Sequence, residues 1–388
     1  MLNYKNARID EIEINGFLSL ESAKIKLGKV NVFVGPNASG KSNIVKALRL
    51  LSLHAKGEPM TKIGLKEFRD VSFRFDPTRT IEITVKASIN EREVIYYLEL
   101  TGKTYYEKVT LEDKCIMENV GSKDHFLYLD RNGIQRKRGI ALAEYFTFEG
   151  TSHIICKSPL AMVPDNAMTE LKELAKLLAG IEAYSLSVEH IKQTSRIEEP
   201  PHLGYHGENL ARVLLYLYLE KRNTYTRIEQ TLCQLIPDIE YVVPHIVEGS
   251  DKVVVKVKER MLEDSTPTES ISDGTLRILS LVTALHTGAS MVALEEPENC
   301  IHPHLLEGLI DLVRKLPAQV VITTHSPILL DYVNPEEVYV VTRNRDGATI
   351  VKRLAESEEI ETVKKFLMEG GTLGEAWYSG LIGGVPEV

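Results

Sequence analysis

Gly35-Pro36-Asn37-Ala38-Ser39-Gly40-Lys41-Ser42, the stretch GPNASGKS, carries the GxxxxGKS spacing of a loop that binds polyphosphate. Val30, Val32 and Val34 alternate before it as in a strand, and Ile44, Leu48 and Leu51 recur after it at helical spacing. A strand therefore enters the loop and a helix leaves it. That order lets backbone N–H groups wrap phosphate oxygens and sets the anion against the positive end of a helix dipole. In this frame Lys41 reaches the β- and γ-phosphates, and Ser42 offers its hydroxyl to Mg²⁺. A chance Gly/Ser-rich turn would lack the two flanking periods.

Three further stretches place reactive side chains directly after apolar runs or at a helix start. Met291-Val292-Ala293-Leu294 ends in Glu295-Glu296. A buried strand would deliver both carboxylates to the carboxyl edge of a sheet, where open α/β sheets bind ligands. Adjacent residues on an extended strand point oppositely, so the acids divide the work. Glu295 is expected to hold Mg²⁺ through its water shell, and Glu296 to orient or deprotonate an attacking water. An isolated Glu-Glu pair is ordinarily a solvated turn; the phosphate loop gives this one a partner. Thr323-Thr324-His325-Ser326-Pro327 follows another apolar run, and a histidine there can hydrogen-bond a γ-phosphate or the catalytic water. In Ser272-Asp273-Gly274-Thr275, Ser272 reads as the N-cap of a helix carrying Leu276, Leu279 and Val282, a second helix start able to face an anion.

The 388 residues allow two or three structural units, and the net charge of −9 offers no global basic field for nucleic acid. Cys115, Cys156, Cys233 and Cys300 lie far apart without a CxxC pair, which argues against a zinc ribbon or a disulfide framework; they are expected to be reduced. Asp10, Glu11 and Glu13 occupy the place of a basic secretory start. The longest apolar stretch, Leu276 to Leu294, is interrupted by Arg277, His286 and Gly288. A cytoplasmic protein without a membrane span is expected.

Along the first 150 residues strand patterns dominate. Ile12 and Ile14, then Ile25 and Leu27, frame short strands; Val71, Phe73 and Phe75, then Ile81, Ile83 and Val85, then Val94 through Leu100 alternate as an antiparallel meander. From about Pro164 the period becomes helical, with Leu171, Leu174 and Leu178 in one helix and Leu210, Val213, Leu214 and Leu217 in another. Strands Val253 to Val257, Met291 to Leu294, Val320 to Thr323 and Val338 to Val341 follow, with helical segments between the second and third. This alternation implies a mostly parallel sheet. Heptads long enough for a coiled-coil arm, internal repeats and low-complexity tracts are not found. Arg131, Arg136, Lys137 and Arg138 form a basic hairpin without interleaved aromatics, expected to be a solvated loop rather than a phosphate-backbone contact. Cys300, His302 and His304 lack an evident further metal ligand, and His302-Pro303 reads as a turn into a helix.

In this order the motifs resemble the ATP-binding-cassette ATPases. ISDGTLRIL at Ile271 to Leu279, LEEPENCIHPHLL at Leu294 to Leu306 and TTHSP at Thr323 to Pro327 are similar to the RecF-like, AAA_21-type ATPases, related to OLD-family and SMC-type heads. The resemblance implies an α/β fold, a P-loop NTPase head with a mostly parallel core sheet, an antiparallel β subdomain and an inserted helical signature lobe. It divides the chain at 1–155 (nucleotide-binding lobe with the phosphate loop and β subdomain), 156–288 (helical signature lobe) and 289–388 (completion of the first lobe and a tail).

It also implies roles. Gly35, Pro36, Asn37, Ala38, Ser39, Gly40, Lys41, Ser42 and Asn43 would be the Walker A contacts with ATP, and Ser272 and Gly274 the signature. Glu295 and Ser42 would hold Mg²⁺, while Glu296, His325 and Lys41 carry the chemistry; Pro297 to Asn299 would lie at a dimer seam. The signature of such ATPases acts on nucleotide held by a second subunit, so two ATP molecules would join a head-to-tail homodimer. A regulatory ATPase in DNA transactions or antiviral defence follows, with a separately encoded effector, nuclease or toxin, and nucleic acid as candidate partners. The energy subunit of a membrane transporter and an ATP-gated clamp with negligible turnover are the alternatives. Three departures stand out: Glu295 replaces the usual aspartate, Asp273 replaces a glycine with Arg277 expected to neutralise it, and Gln135 is a poor candidate for the Q-loop glutamine. Only 63 residues follow His325, so no OLD-type nuclease domain is expected in this polypeptide, and the tail with Trp377 is expected to pack on its own lobe.

Overall fold

The computed structural model describes residues 6–64, 66–119, 125–139, 142–148, 151–156 and 158–384, with backbone alone for Met60, 142–148 and 151–156. Val30–Val34, Met291–Glu295 and Gln319–Thr324 read as unbroken apolar runs because they lie inside a sheet covered on both faces. The strand order is Ile181–Tyr184, Met291–Glu295, Gln319–Thr324, Val30–Val34, Val338–Arg343, Thr349–Arg353, parallel except for the last pair. This is the mostly parallel core expected of a P-loop NTPase head. Glu295 is in register with Thr323, and Thr324 with Val34, so the carboxylates, the approach to His325 and the phosphate loop leave the sheet along one carboxyl edge.

Alternate residues of these strands feed two separate cores. Phe33, Met291, Ala293, Val321 and Val341 join the phosphate-loop helix Lys41–Lys56 and the helix Thr169–Ala179. Val32, Val34, Val292, Leu294, Val320 and Ile322 join the helices Leu210–Glu220, Arg222–Leu235, Asp273–Leu285 and Pro303–Lys315. The period of two along each strand thus sorts side chains to opposite faces.

An antiparallel sheet shares the first core, in the order Leu20–Lys26, Ala7–Phe17, Ile81–Ile89, Arg92–Leu100, Tyr105–Leu111, Lys114–Asn119, His125–Leu129, Gln135–Gly139. The alternation of Val71, Phe73 and Phe75 is not a strand, contrary to the pattern. Phe68–Val71 is a helical turn and Phe73–Phe75 a 3₁₀ turn. Asp70 Oδ2 accepts from the backbone N–H groups of Lys66 and Glu67, 3.0 Å each, which closes the first turn. Phe73 is buried, whereas Phe75 is 62% exposed and, with Arg74, has positive φ. Local capping outweighed three well-spaced apolar residues.

The basic hairpin forms at the sheet edge farthest from the Leu20–Lys26 strand, and Gln135 opens its last strand, away from the core sheet. Arg136 pairs with Asp130 at 2.9 Å and Arg131 donates to the Asp165 carbonyl at 2.7 Å. His302 caps the helix Pro303–Lys315. Cys115, Cys233 and Cys300 are free thiols; the side chain of Cys156 and the last residues of the tail, 385–388, lie outside the described residues. Within the tail the helix Leu373–Tyr378 packs its Trp377, 6% exposed, into the second core. Among the described residues no helix is long and apolar enough to cross a membrane.

Candidate nucleotide site

The phosphate loop is held from outside as well as by its own turns. A Cβ at Gly35 would stand 2.1 Å from the Val341 carbonyl oxygen, and one at Gly40, where φ is +106°, 1.9 Å from Thr349 Oγ1. Both positions therefore require glycine. Thr349 donates to the Ser39 carbonyl at 3.0 Å and shares a 2.6 Å hydrogen bond with Ser19, which accepts from Asn43 Nδ2 at 2.7 Å. Neither Ser19 nor Thr349 has a motif to announce it, and Asn43 serves as a brace here. The helix that follows has no side-chain cap and no acid in its first turn, leaving N–H groups directed at an incoming anion. Ser39 Oγ is buried without a hydrogen-bond partner, while Asn37, Ala38 and Ser42 are exposed. Lys41 is buried and donates to the carbonyls of Gly35 and Pro36, 2.8 Å each. Burial pulls its pKa below the usual lysine value, opposed by the charges of Glu296, Glu298 and Glu295. The loop and the carboxylates thus share one electrostatic neighbourhood.

Glu296 is fixed through every polar group it owns. Its Oε1 lies 3.1 Å from His325 Nδ1, its Oε2 accepts from Asn299 Nδ2 at 2.9 Å, and its N–H donates to the Thr323 carbonyl at 2.9 Å. Its carbonyl accepts from Arg277 Nη2 at 2.7 Å, and φ is +45°, a conformation that non-glycine residues rarely adopt. Arg277 is the sharpest departure from the sequence expectation. It does not neutralise Asp273; it is 5% exposed and donates to the carbonyls of Leu186 and Glu296, and burial lowers its pKa. Asp273 instead pairs with Lys192 at 2.7 Å. An i,i+4 spacing brings charges near each other only on a shared helix face, and Arg277 lies on the buried face while Asp273 is exposed in the first turn.

The motifs contained Glu298 and Thr324 without anticipating that they pair, and they missed Tyr205. Thr324 donates to Glu298 Oε1 at 2.6 Å, Oε2 is buried without a partner, and burial raises the carboxyl pKa. Tyr205 donates its hydroxyl to Glu295 Oε1, and burial together with that carboxylate raises the phenol pKa well above its ordinary value. Among the described residues, no hydrogen bond or ion pair joins Ser272 or Asp273 to the phosphate loop. Ser272 caps its helix by accepting from Thr275 N–H at 3.1 Å and remains exposed. Gly274 approaches the segment after the carboxylates, since a Cβ there would lie 3.0 Å from the Cys300 carbonyl oxygen.

A sheet of this order with a phosphate loop, paired carboxylates and a histidine on one edge has the architecture of a P-loop NTPase head. Residues 8–182 match the AAA_15 model, described as an AAA ATPase domain, and residues 183–331 match AAA_21, described as "AAA domain, putative AbiEii toxin, Type IV TA system". Together the two matches run across most of the chain, each over less than half of it, and they support an ATPase. A comparison with curated protein sequences finds no match. Similar solved structures include an SMC head bound to the C-winged helix domain of ScpA (15% identity, 89% of this chain and 97% of the other, TM-score 0.56). Another is an Smc head with an extended coiled coil bound to the C-terminal domain of ScpA, from Pyrococcus furiosus (13% identity, 94% and 99%, TM-score 0.55).

Proposed function

We propose that the protein hydrolyses ATP and that two copies close head-to-tail around two ATP molecules. The observation that carries this reading is the constraint on Glu296, held by His325, Asn299 and Arg277 beside the buried Lys41. A carboxylate so oriented can take the proton of an attacking water, and His325 can steer the same water or the γ-phosphate. Lys41 and the N–H groups of its helix stabilise charge on the transferred phosphoryl group. Ser42 and Glu295 supply the oxygen donors suited to a hard cation, and Mg²⁺ bound there would neutralise the β- and γ-phosphates. Ser272, exposed at a helix start, and the half-buried Gly274 would complete the site of a second copy.

The biological reading is a regulatory or sensing ATPase, acting in antiviral defence or DNA transactions with a separate effector, in the cytoplasm; the toxin–antitoxin wording of one matching family description supports the defence side of it. The ScpA-bound SMC heads support the idea that a head of this shape can recruit a second protein. Steady-state phosphate release, with light scattering with and without ATP, tests the biochemical core. Turnover by the wild type and ATP-dependent doubling of mass in Glu296→Gln are expected. Negligible turnover by the wild type would favour the clamp, and a mass indifferent to ATP would overturn the head-to-tail arrangement.

A further inference from the structure

The strand Ile181–Tyr184 lies directly beside the carboxylate strand, so the residues leaving it pass next to Glu295. Those residues are Ser185-Leu186-Ser187, with no carboxylate or amide side chain to meet Glu295. The loop Gly204 to Gly207 runs along them instead. Ser185 N–H donates to the Tyr205 carbonyl at 2.9 Å, Ser187 N–H donates to the His206 carbonyl at 3.1 Å, and His206 Nδ1 lies 2.9 Å from the Ser185 carbonyl. These contacts hold the backbone of Tyr205 while its hydroxyl donates to Glu295 Oε1. The other side of the ring is covered by Arg49, whose guanidinium carbon lies 3.8 Å from the ring centroid and which donates to the Lys62 carbonyl at 3.1 Å. Arg49 belongs to the helix that begins at Lys41.

We infer that Tyr205, seated by Arg49, is a positioning residue for Glu295 and fixes that carboxylate for the divalent cation bound with the ATP phosphates. The inference rests on the nucleotide-site reading. Its physical basis is the extra methylene of glutamate over aspartate at this position. Glu295 has one more rotor to immobilise when it meets a cation, and that freedom opposes binding. The Tyr205 hydroxyl holds Oε1 beforehand, and Oε2, which takes no part in that bond, would be the oxygen left for a hydrated cation. Hydrogen bonds to metal-ligating carboxylates set ligand orientation in this way. Arg49 makes the arrangement sensitive to the phosphate-loop helix, because one helix carries both the phosphate-binding lysine and the cover over the tyrosine ring.

The test uses Tyr205→Phe, which keeps the ring under Arg49 and removes only the hydroxyl. Mn²⁺ is titrated into the full chain saturated with a non-hydrolysable ATP analogue and followed by its paramagnetic resonance signal; analogue affinity in EDTA and melting temperature are measured separately. Tyr205→Phe should weaken Mn²⁺ by about tenfold or more, the usual consequence of losing a hydrogen bond to a metal ligand, with unchanged analogue affinity in EDTA. Arg49→Gln should weaken Mn²⁺ in the same direction. In Glu295→Asp, whose shorter arm falls short of the hydroxyl, Tyr205→Phe should have no further effect. Unchanged Mn²⁺ affinity in Tyr205→Phe, or an equal loss in the Glu295→Asp background, overturns the inference while the nucleotide reading stands. A wild type that binds neither the analogue nor Mn²⁺ overturns both.

Discussion

The phosphate loop and the signature helix both present a helix N-terminus, but the surrounding chain treats them oppositely. The first is locked from within: Thr349 and Ser19 brace the loop, and Val341 and Thr349 leave no room for a Cβ at Gly35 or Gly40. The second is capped by Ser272, carries the exposed Asp273–Lys192 pair, and makes no polar contact with the phosphate loop among the described residues. A site complete in one copy needs internal bracing. A surface that meets ATP on another copy needs only to be presented, which is how the proposed sandwich accounts for the contrast.

The largest expected effect is on the braced side. Glu296→Gln keeps an acceptor for His325 and Asn299 but cannot take a proton, so turnover should fall by about 10²- to 10⁴-fold, the usual contribution of a general base, with ATP binding retained. Phosphate release and nucleotide titration check this; wild-type turnover would remove Glu296 as the base. Lys41→Ala should then separate the two ends. It should weaken ATP by about 100-fold, as expected for loss of a buried charge contact, whereas Ser272→Arg should leave ATP affinity within about threefold. Calorimetry gives the affinities. In the Glu296→Gln background, Ser272→Arg should abolish the ATP-dependent dimer seen by light scattering, and a persistent dimer would place the seam elsewhere.

Paired glycine substitutions sharpen the comparison through stability. Gly40→Ala drives a methyl into Thr349 at positive φ and should cost about 2–4 kcal/mol in denaturant unfolding, combining overpacking with backbone strain. Gly274→Ala, whose nearest obstacle is the Cys300 carbonyl oxygen at 3.0 Å, should cost less than about 1 kcal/mol. Equal losses would break the claim that only one end is over-determined. The smallest effect is electrostatic. Burial raises the Glu298 pKa above 4.5, so the native state binds that proton more tightly than the unfolded chain. Its stabilising contribution is present at low pH and is lost as pH rises through the raised value. Glu298→Gln, compared with wild type in EDTA, should therefore flatten this drift and melt slightly higher at neutral pH; parallel melting curves from pH 4.5 to 8 would show that Glu298 is not the source.

Motif spacing and hydrophobic period determined the class of this protein because they report interactions close in sequence. GPNASGKS between a strand and a helix, two acids after Met291 to Leu294, and His325 after Gln319–Thr324 were legible for that reason, and so was the parallel core sheet. Period alone misread Val71, Phe73 and Phe75, where capping by Asp70 selected a helical turn. Helical spacing likewise aimed Arg277 at Asp273, although its burial directed it to the carbonyls of Leu186 and Glu296. Only the tertiary structure decided that Thr349 would brace the phosphate loop from 310 residues away, or that Tyr205 would meet Glu295 across 90 residues. Such contacts have no period and no local motif. They exist because the sheet order brings distant strand ends to one edge, where each buried or constrained polar group must find a partner in whatever segment the fold has placed beside it.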